Sequence, residues 1–256
     1  MSTNAPNRVH HGKSWWSNEE HDDDNTAVAR ADTVVSGHTI AKWTESWWQW
    51  AAQAPDGPFN AGSSQSFAQK GMIFISDNFS GTIHAAAHTP ILASMVNAFD
   101  TEGPGIPESL NNFVADGRGS YADEARVVTD MIQNSIYDAF AKLTIDLGNG
   151  HTKTIFDVHL QGKEAAHAGV QSGNFALGAP VPDSLLASFN LVLDPSVANL
   201  PFSRSTGDWI EIDGLKPGTY TLTLGGAIHE SFDAKSGSTV FAGGYQISVT
   251  DTLIIK

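Results

Sequence analysis

The sequence predicts a mainly β protein with two packed helices, an α+β antiparallel β-sandwich of the jelly-roll type. Short apolar or alternating segments, each bounded by turn-forming residues, dominate its second half. Two longer amphipathic segments precede them, and helices packed on a sandwich accommodate both kinds of segment. We expect a flexible acidic arm over residues 1–36 and a single domain over residues 37–256.

The first predicted helix covers residues 39–53 and holds four of the seven tryptophans. Trp43, Trp47 and Trp50 are spaced so that they share one helical face, which predicts a helix packed as core on a sheet. The alternative is that one or two indoles line a groove for a sugar or another flat ligand. Trp48 lies off this stripe, so it is the indole expected to contact a ligand or partner.

The second predicted helix covers residues 120–143. Ser120 is suited to cap it, and acidic Asp123 and Glu124 follow in the first turn, where they favour the helix dipole. Apolar residues recur at helical spacing as far as Leu143, which gives the segment an amphipathic stripe.

The remaining pattern predicts strands and turns. The pair Asn149-Gly150 is typical of a type I′ hairpin turn. A loop rich in glycine and alanine is expected over residues 161–183. The predicted strands cover residues 71–76, 82–86, 90–98, 154–160, 189–193, 209–212, 220–224 and 245–255.

Composition excludes several classes of function. Lys and Arg total 14 against 28 acidic residues, giving a net charge of −14, and binding to nucleic acid needs a basic surface. No apolar run is long enough for a membrane span. The absence of cysteine excludes disulfides, thiolate metal sites and cysteine nucleophiles. The expected partners are therefore a carbohydrate or a protein.

Three motifs point to one family. They are W-x-x-x-W-W-Q-W at Trp43–Trp50, P-I-L-x-x-x-x-N at Pro90–Asn97 before an acidic loop, and a Pro-Gly hairpin at Gly207–Gly226. The sequence in this respect resembles an uncharacterised bacterial family whose members are often exported. The resemblance spans residues 38–255 and implies a domain without an established activity. It favours an extracellular or cell-surface location, although no signal peptide is visible and the cysteines that many relatives carry near residues 60–90 are absent.

Two groups of residues are candidates for chemistry. His84 and His88 form H-A-A-A-H, which on a helix is a metal-ligand spacing, although strand-like segments flank it here. Asp100 and Glu102 follow Asn97, and these three residues are the candidates for ligand or partner binding beside Trp48. Paired carboxylates can bind Ca²⁺ or act as acid and base, while a solvated turn is the alternative.

Two further pairs are weaker candidates. Asp157 and His159 share one strand face and fit either a base with its orienting group or an exposed polar face. His229 and Glu230 follow a strand end and are equally ambiguous.

These observations lead to three hypotheses of function. The first is a non-enzymatic secreted or surface-associated module that binds a ligand or partner or self-assembles, without a cofactor. The second is a metal-dependent enzyme that uses His84 and His88 with a carboxylate and a divalent metal ion. The third is a homo-oligomeric structural subunit whose 1–36 arm exchanges between protomers.

Overall fold

The computed structural model describes residues 27–53, 66–76, 80–106, 108–178, 202–233, 238–241 and 244–256. The predicted strand over residues 189–193 and residues 1–26 of the predicted arm lie outside these ranges. In chain order, the elements are β1 Val34–Val35, β2 His38–Thr39, α1 Ile40–Gln53, β3 Ser66–Gln69, β4 Met72–Ile75, β5 Thr82–Ala85, β6 Ile91–Glu102, α2 Tyr121–Ser135, β7 Ile136–Gly148, β8 His151–Gln161, α3 Lys163–Ala168, β9 Val170–Gln171, β10 Phe202–Ile212, β11 Gly218–Ile228, β12 Ser231–Asp233, β13 Ser238–Phe241 and β14 Tyr245–Ile255.

The first sheet has the strand order β3-β4-β6-β10-β9 and is covered on both faces. Strand residues alternate between the faces. Phe74, Leu92 and Trp209 pack with α1 on one side. Their chain neighbours, such as Ile73 and Ile91, join the core shared with the second sheet. A strand buried on both faces must be almost continuously apolar, as β6 is over its first six residues.

The second sheet has the strand order β5-β14-β11-β7-β8 and closes the sandwich from one side. Leu143, Leu222 and Leu253 point inwards, whereas Lys142 and Thr221 lie on an exposed polar face. Most pairs in both sheets are antiparallel, with one parallel pair in each sheet, β4–β6 and β5–β14. The predicted α+β sandwich is therefore confirmed.

The hairpin that joins β7 to β8 turns at the predicted position. Asn149 and Gly150 have φ angles of 55° and 78°. Positive φ at both central residues is what a type I′ turn requires.

Helix α1 confirms the first predicted helix. Its start is capped by Thr39, whose Oγ1 accepts a hydrogen bond from the backbone N–H of Lys42 at 3.3 Å. Trp43 and Trp47 are buried, and their rings meet Phe74 and Trp209 edge to face, each with centroids 5.6 Å apart. The predicted core stripe is therefore present.

The prediction that Trp48 is free to contact a ligand is wrong. Only 3% of Trp48 is exposed, and its ring centroid lies 4.2 Å from that of Phe99. The reason is that Trp48 packs on Phe99 of the first sheet and on Trp47, whose ring centroid lies 4.8 Å away. Residues 170–178 add to the same core. Phe175 and Leu177 join the tryptophan core there, and Gln49 Nε2 donates to the carbonyl of Ala176 at 3.0 Å.

The second predicted helix is correct at its start and wrong at its end. Ser120 caps α2 in a capping box with Asp123, as expected, but the helix stops at Ser135 and β7 begins at once. Near that end, Asn134 Nδ2 and Ser135 Oγ donate to carbonyls one turn back, at 2.8 and 2.9 Å. Such bonds compete with continued helix. Residues 136–143 then bury Ala139, Ala141 and Leu143 alternately, as a strand does.

Two predicted irregular segments contain regular structure. The predicted loop over residues 161–183 includes α3 and β9.

The last ten residues of the predicted arm belong to the body, because Ala29 N donates to the carbonyl of Trp209 at 2.8 Å and Glu211 N donates to that of Ala27 at 2.9 Å. The described body therefore begins at Ala27, not at residue 37.

We expect the substitutions Trp47→Ala and Trp48→Ala each to lower the free energy of unfolding by about 3–5 kcal/mol, because each removes a fully buried indole. Trp50 is half-buried against Phe67, so Trp50→Ala is the matched control and should cost about 1–2 kcal/mol. Urea denaturation of the three variants measures these differences. A Trp48→Ala variant as stable as the parent protein would contradict the buried position of this indole.

Candidate functional site

The predicted ligand residues on β6 divide between its two faces. Asn97 lies opposite Gly207, and its Nδ2 donates to the hydroxyl of Ser94. Asp100 and Glu102 lie on the other face, towards α2, because residues an odd number apart on a strand point in opposite directions. Asn97 therefore does not join the two carboxyl groups, whereas Asp100 and Glu102 do lie together.

Asp100 and Glu102 lie near two more acids, Glu108 and Glu124. We call these four residues the acid cluster. Ser109 donates its hydroxyl to Asp100 Oδ1 at 2.9 Å and its backbone N–H to Glu102 Oε1 at 3.2 Å. Glu124, in the first turn of α2, accepts from the backbone N–H of Leu110 at 2.8 Å. One loop thus holds one oxygen of each of three buried carboxyl groups.

The second oxygens of these carboxyl groups receive no hydrogen from any other described residue. Burial raises the pKa of Asp100 to about 7 and, with the nearby charge of Asp100, raises the pKa of Glu102 to about 9. Burial also raises the pKa of Glu124, while the positive charge of Arg118 opposes that rise.

The acid cluster is suited to holding protons rather than to contacting a substrate. Glu102 and Glu124 are fully buried and Asp100 is 8% exposed, so a ligand does not reach them in this conformation. Within the described ranges, no three His, Asp or Glu side chains are arranged to hold a metal ion. The calcium interpretation of Asp100 and Glu102 therefore gains no support from this geometry.

His84 and His88 lie far from the acid cluster. His84 is exposed on the edge strand β5, opposite Ile254, and His88 occupies the turn that follows, with a φ of 62°. Strand β6 starts beside this turn and carries the carboxyl groups at its other end. About 30 Å separates Ile91 from Asp100 along an extended strand. The four residues therefore do not form one metal site.

The weaker candidates on β8 pair with β7 instead of with each other. Asp157 forms an ion pair with Lys142 at 2.5 Å, and His159 Nε2 lies 2.7 Å from Asp138 Oδ1. These contacts lie on the exposed face of the second sheet, and exposed ion pairs contribute little to stability.

A more accessible site lies at one end of the second sheet, where β7 carries an extra residue. Asp138 pairs with Ala227 and Ile136 pairs with Ile228, so Tyr137 has no partner on β11 and forms a β-bulge. A bulge turns the side chain away from the regular strand direction. Tyr137 is 36% exposed as a result, and its ring stacks on His229 with centroids 3.7 Å apart and planes 13° apart.

The stacked pair borders an open cleft, which we call the tyrosine cleft. Its other polar and aromatic side chains come from the end of β11 and the start of β14, namely Glu230, Tyr245 and Gln246. The cleft has a volume of about 390 Å³ and opens widely to solvent. The backbone N–H of His229 donates to the carbonyl of Ser135 at 2.8 Å, so the C-terminal end of α2 holds one wall in place.

The sequence offered a partial signal for this cleft. His229 and Glu230 are polar residues at a predicted strand end, but the predicted helix over residues 120–143 includes Tyr137. Its exposure follows from the bulge, which depends on the register with β11 and is not visible in a local pattern.

Two other buried acids make the free energy of unfolding depend on pH. Burial raises the pKa of Asp208 to about 7, although Gln133 Nε2 donates to its Oδ1 at 3.4 Å. Burial also raises the pKa of Asp251 to about 6, against the opposing bond from the backbone N–H of Gly81 at 2.7 Å.

The raised pKa values predict a protein that loses stability as the pH rises. Unfolded Asp and Glu titrate near pH 4, so unfolding releases the protons that buried acids hold above that pH. This contribution is complete below about pH 4 and disappears as the pH passes the folded pKa values, about 6 for Asp251, about 7 for Asp100 and about 9 for Glu102. Each proton released lowers the free energy of unfolding by about 1.4 kcal/mol per pH unit.

Urea denaturation between about pH 5 and about pH 9 measures this loss. Glu102→Gln has no proton to release at this position, so its stability should fall less steeply than that of the parent protein between about pH 7 and about pH 9. Glu164→Gln, which changes an exposed acid on α3, should leave the slope unchanged. A parent stability that is constant or rises over this range would contradict the protonated acid cluster.

None of the helices in the described ranges is long and apolar enough to cross a membrane. The chain matched no protein-family model, and it matched no curated protein and no solved structure. The resemblance to an exported bacterial family therefore stays a prediction, and the function is argued from the geometry of the tyrosine cleft and the acid cluster.

Proposed function

We propose that this protein is a non-enzymatic binding module of secreted or surface-associated type, and that its ligand site is the tyrosine cleft. The observation that supports this most directly is the bulge at Tyr137. It turns an aromatic ring out of the strand and onto His229 at the mouth of an open cleft. Bulges are over-represented beside functional sites because they redirect a side chain in this way. Binding sites combine such aromatic surface with a few placed polar groups.

The distribution of acids favours binding over catalysis. Among the described residues that line the tyrosine cleft, Glu230 is the sole carboxylate. The usual glycoside hydrolysis needs a pair of Asp or Glu side chains that flank the scissile bond, and Glu230 has no carboxylate partner among these residues. The acids with strongly raised pKa values, Asp100 and Glu102, are buried in the acid cluster, so they are not available to a ligand in the cleft.

The two other hypotheses have weaker support. A metal-dependent enzyme built on His84 and His88 needs a nearby carboxylate, and Asp100 and Glu102 lie at the far end of β6. The homo-oligomer with an exchanged arm concerns mainly residues 1–26, which lie outside the described residues.

Tyrosine ring resonances test the proposed site directly. The chain has four tyrosines, of which Tyr137 and Tyr245 line the cleft. Tyr220 is buried in the core and Tyr121 stacks on Phe202, so these two serve as internal references. Protein with ¹³C-labelled tyrosine rings would be titrated with separate pools of neutral saccharides, organic cations, organic anions and dipeptides.

We expect at least one pool to shift the Tyr137 and Tyr245 resonances together while the Tyr121 and Tyr220 resonances stay in place. Tyr137→Phe identifies the Tyr137 signal by removing it. The bound compound should also be recovered unchanged after prolonged incubation with the protein. If no pool shifts the cleft resonances, or if the compound is converted to product, the proposed function is wrong.

A further inference from the structure

We infer that the ligand of the tyrosine cleft is a neutral saccharide. This inference rests on the proposed binding function and adds the chemical class of the ligand. Three properties of the cleft support it: a flat aromatic surface, a mixed set of hydrogen-bonding groups, and the sign of the charge around it.

The flat surface is an outer face of the stacked pair of Tyr137 and His229, because the inner faces of the two rings cover each other. Their rings are nearly parallel, with 13° between the planes, and Tyr137 is 36% exposed. Stacking on His229 restrains the Tyr137 ring, so little conformational entropy is lost when a ligand lies against it. A pyranose ring presents a flat C–H surface that fits an aromatic ring in this way, because aromatic rings carry negative charge on their faces.

The hydrogen-bonding groups suit hydroxyl groups in particular. Glu230 accepts hydrogen bonds, and the amide of Gln246 both donates and accepts. Both side chains are exposed at the cleft, and His229 adds a ring nitrogen beside them. A sugar hydroxyl donates and accepts in the same way, so adjacent hydroxyls can bond to Glu230 and Gln246 together. An apolar ligand would leave these groups without bonds, which costs binding free energy.

The charge excludes anionic ligands. Glu230 is the charged carboxylate at the cleft, no Lys or Arg is found among its described lining residues, and the whole chain carries a net charge of −14. Phosphorylated or carboxylated sugars would therefore be repelled. An organic cation is attracted by the same charge and the same ring faces. It would use the carboxylate and the aromatic face, but it would leave the amide of Gln246 without a role.

The test is a titration with single compounds, followed by the Tyr137 and Tyr245 ring resonances and by calorimetry. The compounds are glucose, galactose, mannose, N-acetylglucosamine and their β-linked disaccharides, compared with choline and with glucuronate. We expect at least one neutral saccharide to shift both cleft resonances and to bind more tightly than choline, and we expect glucuronate to shift neither resonance. Tyr137→Ala should weaken saccharide binding by about two- to tenfold, as expected for the loss of one aromatic contact, and Gln246→Ala should also weaken it.

The controls separate this inference from the proposed function. Tyr121→Ala removes an aromatic ring outside the cleft and should leave saccharide affinity unchanged. Tyr137→Phe keeps the ring and should retain most of the affinity. Shifts caused by choline or a dipeptide but by no saccharide would overturn the saccharide inference and leave the cleft as a binding site. An absence of shifts with every compound in both experiments would overturn both proposals.

Discussion

Burial of the first sheet on both faces is the constraint on which the rest of the molecule depends. Helix α1 covers one face with Trp43 and Trp47, while the second sheet and α2 cover the other. A strand such as β6 is therefore packed between two layers, and this packing also buries its polar residues Asp100 and Glu102. These acids are buried because the layers on both sides extend as far as the end of the strand, and their raised pKa values follow from that burial.

The direct passage from α2 into β7 shapes the other end of the molecule. No loop separates Ser135 from Ile136. The first residues of β7 must therefore continue directly from the helix and also pair in register with β11. The bulge at Tyr137 accommodates one extra residue at this junction. Its consequence is an exposed aromatic ring at a position where the regular alternation of β7 would have pointed it into the core.

The sequence predicted the features that depend on local patterns. The spacing of Trp43 and Trp47 indicated a core helix. Asp100 and Glu102 were expected together in an acidic loop, whereas β6 continues through both residues and places them on one face. The sequence did not predict burial or secondary structure where these depend on contacts between segments that are distant in the chain. Trp48 packs on Phe99 of β6, and the apolar spacing of residues 136–143 fits a helix as well as a strand. The tyrosine cleft joins residues near 137, 229 and 245, a combination that only the strand register brings together.

Helix α2 runs from the acid cluster to the tyrosine cleft, but this connection alone does not make ligand affinity depend on proton binding. Glu124 in its first turn belongs to the acid cluster, and the carbonyl of Ser135 at its last residue holds His229 at the tyrosine cleft. Its 15 residues place these ends about 20 Å apart. Protons bound at the acid cluster change the free energy of unfolding, but they alter ligand affinity only if the cleft differs between the protonated and deprotonated forms. Helix α2 packs along β6 and β10, so protons held at the acid cluster act on the stability of these packed layers, whereas the geometry of the cleft depends on the bulge at Tyr137.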